Sequence, residues 1–264
     1  MKKIILPFLF LTSTLIYSQG YFDGKDLNCP TNNQEANRLF EIGIKMLHIN
    51  TNQDPKNLAI NADVFAKAVQ QDTSFCDAYF FTGYLLNLSK DYRNAYAFLK
   101  VADSFSLKPS LIYKQNLAAL CMKVGMFEEA RESYREITLN FPASPEGYYG
   151  IAATSPMIGD YKYGLENIMK AENIYIGIDA KIQCLYIKGI LFTLNGQYLE
   201  AKNTLEPITG KYKNDLNFKI YYSLALLKLS AINDDDKMKR KARKIYRQID
   251  ENYIPPDLQS EFKF

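Results

Sequence analysis

A short turn recurs four times along the chain at nearly constant spacing. Each copy continues with an aromatic residue at its third position and closes on a small residue at its sixth. The closing residues are Ala95, Ala130, Gly164 and Ala201. The steps between them are 35, 34 and 37 residues, and a period of this length is typical of a solenoid built from helix pairs. The turn therefore predicts the architecture before any single residue is considered.

Apolar residues flank each turn at helical spacing. In the second unit they recur at steps of three and four: Tyr79, Thr82, Gly83 and Leu86 before the turn, then Tyr92, Ala95, Leu99 and Ala102 after it. This pattern predicts two antiparallel helices that pack face to face. Gly83 and Ala95 are expected to let the two backbones approach closely, because neither has a bulky side chain.

These residues resemble the tetratricopeptide repeat (TPR), in which a Leu-Gly or Leu-Ala pair precedes a Gly-x-aromatic turn and an alanine. The middle units carry the resemblance most fully. They match as Leu117, Ala118, Gly125, Phe127, Ala130, Tyr134 and Pro142; as Tyr148, Ala152, Gly159, Tyr161, Ile168 and Ala171; and as Leu185, Gly189, Phe192, Gly196, Tyr198, Ala201 and Leu205. The fourth unit departs from the pattern, because Gly164 replaces the turn alanine and Pro156 lies in its first helix.

The resemblance implies an all-α, right-handed superhelical solenoid of about six TPR-like helix pairs. The solenoid is expected over residues 36–254, after an N-terminal extension at 19–35 and before a C-terminal tail at 255–264. Its units are expected near residues 36–75, 76–110, 111–144, 145–181, 182–217 and 218–254. The first unit has extra loop residues around 50–57, and Pro255-Pro256 is expected to stop the last helix.

The amino terminus has the three-part pattern of a secretory signal peptide. A cationic start is followed by a mostly apolar run from Ile4 to Ile16 and then by small and polar residues. We expect residues 1–18 to be removed, although cleavage after Gly20 also fits. No cysteine directly follows the apolar run, so a lipid anchor is not expected. The chain is thus predicted to be exported, as a periplasmic or secreted bacterial TPR protein.

Charge and cysteine content restrict the partners and cofactors. The formal charge of +3 falls to +1 when Lys2 and Lys3 leave with the signal peptide, which argues against nucleic acid as a partner. No cysteine or histidine cluster suggests a metal site, and no cofactor is expected. The chain has four cysteines. We favour four reduced packing cysteines, and Cys29 with Cys76 is the one pair that could form a disulfide.

No combination of residues indicates catalysis. The single histidine, His48, has no serine or cysteine partner that the sequence identifies, and it is expected at a helix end. Glu128 and Glu129 are adjacent at a predicted helix start, where negative charge is favourable. Asp234, Asp235 and Asp236 lack the spacing of a calcium loop and are expected to cap the next helix. The sequence therefore predicts a protein that is not an enzyme.

The repeat register predicts a binding groove. In TPR proteins the first helices of successive units line the concave face, and two positions beside the small residue point into it. At these positions the chain has mainly aromatic and aliphatic side chains. The predicted peptide-binding residues are Phe40, Phe80, Tyr84, Gln115, Tyr149, Tyr186, Ile190, Tyr222 and Leu226. They lack the lysine and asparagine pattern with which some TPR domains bind a terminal carboxylate.

These residues favour a non-catalytic scaffold or adaptor of the cell envelope that binds a peptide of a partner protein in a tyrosine-rich groove. A component of envelope assembly or secretion machinery is one alternative, and a glycan-binding helical-repeat protein is another. A further alternative is structural: the rings could pack on one another or on residues 21–34. The basic outer side of the last predicted helix could touch an anionic surface or be simply solvated.

Overall fold

The computed structural model describes residues 21–49 and 54–263, and all of their regular structure is helical. The predicted signal peptide and part of the predicted loop at 50–57 lie outside the described residues. Contacts divide the described chain into two compact units, residues 21–141 and residues 142–263. Each unit consists of helices that pack in successive pairs.

Residues 21–141 form three such pairs. The helices are α1 (Gln34–Ile49), α2 (Pro55–Gln71), α3 (Cys76–Leu88), α4 (Tyr92–Phe105), α5 (Leu111–Val124) and α6 (Phe127–Asn140). Each first helix packs on its own partner, α1 on α2, α3 on α4 and α5 on α6. Neighbouring pairs are joined by further contacts of α2 with α3 and of α4 with α5. The odd-numbered helices thus form one face of this unit.

Residues 142–263 continue the pattern with less regular ends. Their helices are α7 (Pro145–Ile158), α8 (Tyr161–Ile174), α9 (Ile178–Leu194), α10 (Tyr198–Leu205), α11 (Thr209–Tyr212), α12 (Leu216–Asn233), α13 (Asp236–Tyr246) and α14 (Pro256–Gln259). Short 3-10 turns occupy Glu206–Ile208 and Glu251–Tyr253. The first helices here are α7, α9 and α12.

The expectation that Pro255-Pro256 stops the last helix of the repeats is wrong. Helix α13 already ends at Tyr246, nine residues earlier. Pro256 instead begins α14, which is compatible with proline because the first residue of a helix needs no backbone N–H donor. At the other end of α13, Asp235 is the N-cap and accepts a hydrogen bond from the Met238 backbone, so the predicted cap is present.

The recurring turn has one backbone conformation in all four copies. Its first residues, Lys90, Gly125, Gly159 and Gly196, have φ of 70, 84, 91 and 76°. This left-handed conformation ends a helix and suits glycine, which has no Cβ to collide with the following carbonyl. The turn therefore separates the two helices of each pair, and three of its four copies use the residue that adopts this conformation most easily.

The small residue Gly83 marks a close approach of α3 and α4. A Cβ atom at this position would lie 2.9 Å from the backbone nitrogen of Leu99 and 3.0 Å from the carbonyl oxygen of Ala95. Both neighbours are backbone atoms, which cannot move aside as a flexible side chain can. The close contact predicted from the repeat register is therefore confirmed for this pair.

Among residues 21–49 and 54–263, none of the helices combines the length and apolarity that crossing a membrane requires.

Candidate binding surface

The face formed by α1, α3 and α5 is covered by the chain's own N-terminal segment. We call residues 21–33 the strap. Two predicted groove residues, Phe40 and Phe80, lie under it with 2% and 0% of their surface exposed. Tyr84 and Gln115 remain partly exposed. In this unit the strap therefore occupies much of the surface where the sequence predicts a peptide ligand.

Tyr21 anchors the strap through its ring. The ring stacks on Phe81 at a centroid distance of 5.3 Å and meets Phe80 edge to face at 5.4 Å. The next residue, Phe22, contacts Tyr84 with ring centroids 5.1 Å apart. Aromatic pairs in these arrangements contribute beyond the area that they bury. Two consecutive aromatic side chains thus fill the space beside α3.

Asp77, in the first turn of α3, accepts four hydrogen bonds at this anchor. Its carboxylate accepts from the hydroxyls of Tyr21 at 2.8 Å and Tyr113 at 2.6 Å. It also accepts from the backbone N–H groups of Asn28 at 3.1 Å and Cys29 at 2.8 Å. Because Asp77 is fully buried, these four donors replace the water that the carboxylate loses.

Burial and the Asp77 charge also keep the two tyrosines protonated. Burial is the larger cause and the neighbouring carboxylate the second, and both raise the pKa of Tyr21 and Tyr113 well above the usual range. Protonated hydroxyls are needed here, since only an O–H group can donate to the carboxylate. Both hydroxyls therefore remain available as donors.

A disulfide bond between Cys29 and Cys76 fixes the strap to the start of α3. The two Cα atoms lie 5.5 Å apart, within the normal range for a disulfide. The pairing considered from the sequence is thus present, and the interpretation of four reduced cysteines is wrong for this pair. The remaining cysteines, Cys121 and Cys184, are free and buried.

Cys29, Cys76 and Asp77 also place three potential metal-binding atoms within 4.8 Å of one another. Their chemistry does not suit a metal in the oxidised protein. The two sulfur atoms are bonded to each other, and the Asp77 oxygens accept from four donors. The group is a covalent and hydrogen-bonded joint that holds the strap.

In residues 142–263 the predicted groove residues mostly pack among neighbouring side chains. Tyr186 is buried, with its ring 4.6 Å from that of Tyr212, and its hydroxyl donates to Asp215 at 2.9 Å. The hydroxyl of Tyr222 donates to Glu206 at 3.1 Å. Ile190 and Leu226 are fully buried. Four of the five predicted residues in this unit are therefore part of its interior.

Tyr149 is the predicted groove residue of this unit that stays partly exposed. Its ring meets that of Tyr175 edge to face at 6.3 Å, and the Tyr175 hydroxyl donates to Glu146 at 3.0 Å. Burial raises the pKa of Glu146 to about 7, although the Tyr175 hydrogen bond opposes this shift. Tyr175 thus joins this carboxyl group to the ring of a tyrosine that is partly exposed.

Solved structures resemble this arrangement of helix pairs. YrrB, described as a TPR protein with an unusual peptide-binding site, aligns over 81% of this chain and 94% of its own, with a TM-score of 0.58 and 14% identity. A TPR protein from Parabacteroides merdae aligns over 83% of each chain, with a TM-score of 0.63 and 13% identity. MamA from Desulfovibrio magneticus aligns over 70% of this chain and 99% of its own, with a TM-score of 0.59 and 13% identity.

The chain has the TPR fold. The prediction of an all-α solenoid of TPR-like helix pairs is therefore confirmed. The sequence itself matches no protein-family model and no curated protein.

The TPR register explains which site residues the sequence reveals and which it misses. Asp77 lies three residues before Phe80 on α3, and therefore faces the same side of that helix. Its use becomes visible only when its donors are known, since Tyr21 is 56 residues away and Tyr113 is 36 residues away. The aromatic pair Tyr21-Phe22 after the predicted signal peptide is the sequence signal that could have indicated the strap.

His48 and Glu129 contact neighbouring elements of the fold. His48 lies in the last turn of α1, and its Nε2 atom is 3.4 Å from a carboxylate oxygen of Asp23 in the strap. Glu128 and Glu129 lie in the first turn of α6. The Glu129 carboxylate accepts hydrogen bonds from Tyr96 and Lys100 of α4. These contacts join neighbouring helices and the strap.

Proposed function

We propose that the protein is a non-catalytic scaffold that binds a segment of a partner protein on the first-helix face of its TPR units. The strap is the observation that carries this proposal. It is a 13-residue segment held on that face by inserted aromatic rings and by main-chain N–H groups that donate to a carboxylate. A partner peptide would offer the same groups, so the face has the chemistry for such a ligand.

The exposed part of the predicted groove is the best place for the partner in the oxidised protein. Tyr84 and Gln115 provide it in residues 21–141, and Tyr149 provides it in residues 142–263. Tyrosine suits this role because its rigid ring supplies contact area and its hydroxyl adds a hydrogen bond at a low entropic cost. The six other predicted residues are buried.

We propose further that the protein works outside the cytoplasm, in the periplasm or as a secreted protein. The Cys29–Cys76 disulfide supports this location, since structural disulfides persist in oxidising compartments. Cell fractionation combined with thiol labelling tests it. We expect the exported protein to lack residues 1–18 and to leave Cys29 and Cys76 unlabelled. A full-length, fully reduced cytosolic protein would contradict the proposed location.

Site-specific photo-cross-linking tests the binding face. A photoreactive phenylalanine analogue would replace Tyr84 or Tyr149 in separate variants expressed in the native host. Matched controls would carry it at Leu139 of α6 or Leu199 of α10, which are exposed second-helix positions at 78% and 54%. We expect one defined partner at Tyr84, Tyr149 or both and none at the controls. Equal cross-linking at the controls, or none at either tyrosine, would contradict the proposal.

A further inference from the structure

We propose that the first-helix face of residues 21–141 is a second, latent peptide-binding site, which the strap closes in the oxidised protein and which reduction of the Cys29–Cys76 disulfide opens. The inference rests on the proposed function, because both are argued from the contacts of the strap with a first-helix face. It differs in the site, since the surface in question is the one that the strap covers.

The contacts of the strap define the ligand that would replace it. The ring of Tyr21 packs against Phe80 and Phe81, and the Tyr21 hydroxyl donates to Asp77. Seven and eight residues later, two consecutive main-chain N–H groups donate to the same carboxylate. The matching ligand is therefore a peptide that carries a tyrosine and turns back to offer two main-chain donors to Asp77.

Few contacts of the strap depend on regular secondary structure. After its first two residues it has no helix or strand, and its polar contacts are mainly side-chain bonds, such as Asn28 to Ser110 at 3.3 Å and Asn33 to the Gln71 carbonyl at 2.9 Å. Segments of this kind open with less free energy than packed helices do. The helices beneath the strap have their own partners, α3 on α4 and α5 on α6, so they can remain folded when it leaves.

The disulfide determines the population of the open state, in which the strap is detached from the first-helix face. A disulfide of typical strength changes the population of an open state by a factor of about 30 to 700. Without it, the strap is still attached to α1 and competes with a ligand at an effective concentration on the order of millimolar. The reduced protein should therefore bind a matching peptide weakly, with an apparent dissociation constant of about millimolar or above, and the oxidised protein should bind it more weakly still.

The redox step needs an external dithiol as the reductant. One of its thiolates attacks a sulfur of the Cys29–Cys76 bond, forms a mixed disulfide and releases the other cysteine as a thiolate. Its second thiolate then attacks the mixed disulfide and releases the remaining cysteine. Two electrons pass to the protein, the dithiol becomes a cyclic disulfide, and Cys29 and Cys76 each gain a proton. Both cysteines are buried, at 5% and 0% exposure, so attack requires a transient opening of the strap.

A binding experiment with the strap sequence itself tests this inference. The probe is a synthetic peptide of residues 21–33 with Cys29→Ser and a fluorophore at its carboxyl end. Its anisotropy would be measured with the full chain in oxidised form, with the chain reduced by excess dithiothreitol, and with a Tyr21→Ala/Cys29→Ser chain. Two variant peptides serve as a matched pair: Tyr21→Ala removes the anchor, and Lys25→Ala changes an exposed residue.

We expect no measurable binding to the oxidised chain, weak binding to the reduced chain, and binding at least about tenfold tighter to the Tyr21→Ala/Cys29→Ser chain, whose own strap competes poorly. The Tyr21→Ala peptide should lose this binding and the Lys25→Ala peptide should keep it. If the double variant keeps its helical circular dichroism and still does not bind the peptide, the face is not a binding site and the inference is wrong.

Hydrogen exchange decides the case in which the double variant fails to fold. We expect reduction of the wild-type chain to remove the protection of the Asn28 and Cys29 amides while α3 and α5 stay protected. Unchanged protection of these two amides would show that the disulfide does not control the strap, and would overturn the inference. Photo-cross-linking at Tyr149 in the oxidised chain is independent of both results, so a failure there concerns only the proposed function.

Discussion

Replacing Asp77 with asparagine should destabilise residues 21–141 by about 3 kcal/mol, because the buried carboxylate accepts four hydrogen bonds. Three of the donors converge on one oxygen, and the backbone N–H of Cys29 points at the other from 2.8 Å. If the asparagine oxygen accepts from the three donors that share one carboxylate oxygen, its NH₂ group faces the Cys29 N–H, and two donors then point at each other. The variant loses one bond to a charged acceptor and weakens the others, and bonds to charged groups contribute about 1.5–3 kcal/mol each.

The two free cysteines allow the unfolding of each unit to be followed separately, because each unit contains one fully buried thiol that reacts only when the unit unfolds. Cys121 reports on residues 21–141 and Cys184 on residues 142–263. Pulse labelling with a maleimide across a urea series, followed by mass spectrometry, gives an unfolding midpoint for each. We expect Asp77→Asn to lower the Cys121 midpoint by about 1–2 M urea. Tyr21→Phe removes one of the bonds to this carboxylate and should cost about 1.5 kcal/mol. An unchanged Cys121 midpoint in Asp77→Asn would refute the reasoning.

Three further substitutions test the packing, the turns and the buried carboxyl group. Gly83→Ala should destabilise the protein by about 1–2 kcal/mol in urea unfolding, because its Cβ would collide with backbone atoms of α4. The control Gly210→Ala has nothing within 4 Å of its Cβ and should be neutral or stabilising. Equal stability of the two variants would show that the close approach is absent. Lys90→Gly should stabilise by about 1 kcal/mol in the same assay, because φ of 70° is unfavourable for lysine, whereas a loss would contradict the assigned turn conformation. The pKa of Glu146 is raised to about 7 from 4.5, so the folded state holds the proton more tightly than the unfolded state. This stabilisation is complete below about pH 4.5 and should fall by roughly 2–3 kcal/mol as the pH rises to 7. Glu146→Gln should abolish this pH dependence when urea midpoints are compared at pH 5 and pH 8.

Local sequence patterns determine the repeated helix pair. The turn ends each first helix because glycine, or lysine in one copy, adopts a left-handed conformation at Lys90, Gly125, Gly159 and Gly196. The register of the small residues then predicts which backbones approach, and Gly83 confirms it at atomic distance. These features depend on residues within about one period of one another, so a single sequence contains the information for them.

The same register places residues on a face but does not determine what covers that face. Phe80 and Tyr84 share the first-helix face of α3, yet Phe80 is fully buried under the strap and Tyr84 is partly exposed. Aromatic residues can pack with the protein or bind a ligand, and their spacing is identical in both cases. The sequence therefore supports the groove and its structural alternative equally at these positions.

By itself, the sequence determined the TPR helix pair, its period and the likeness of its units, because these follow from short-range spacing and backbone conformation. Only the tertiary structure determined that Tyr21, Asn28 and Cys29 meet Asp77 and that Cys29 bonds to Cys76. These contacts join residues 47 to 56 positions apart, in a segment with almost no periodic structure of its own. Their formation depends on the shape that the folded helices present, and a pattern of residue types does not specify that shape.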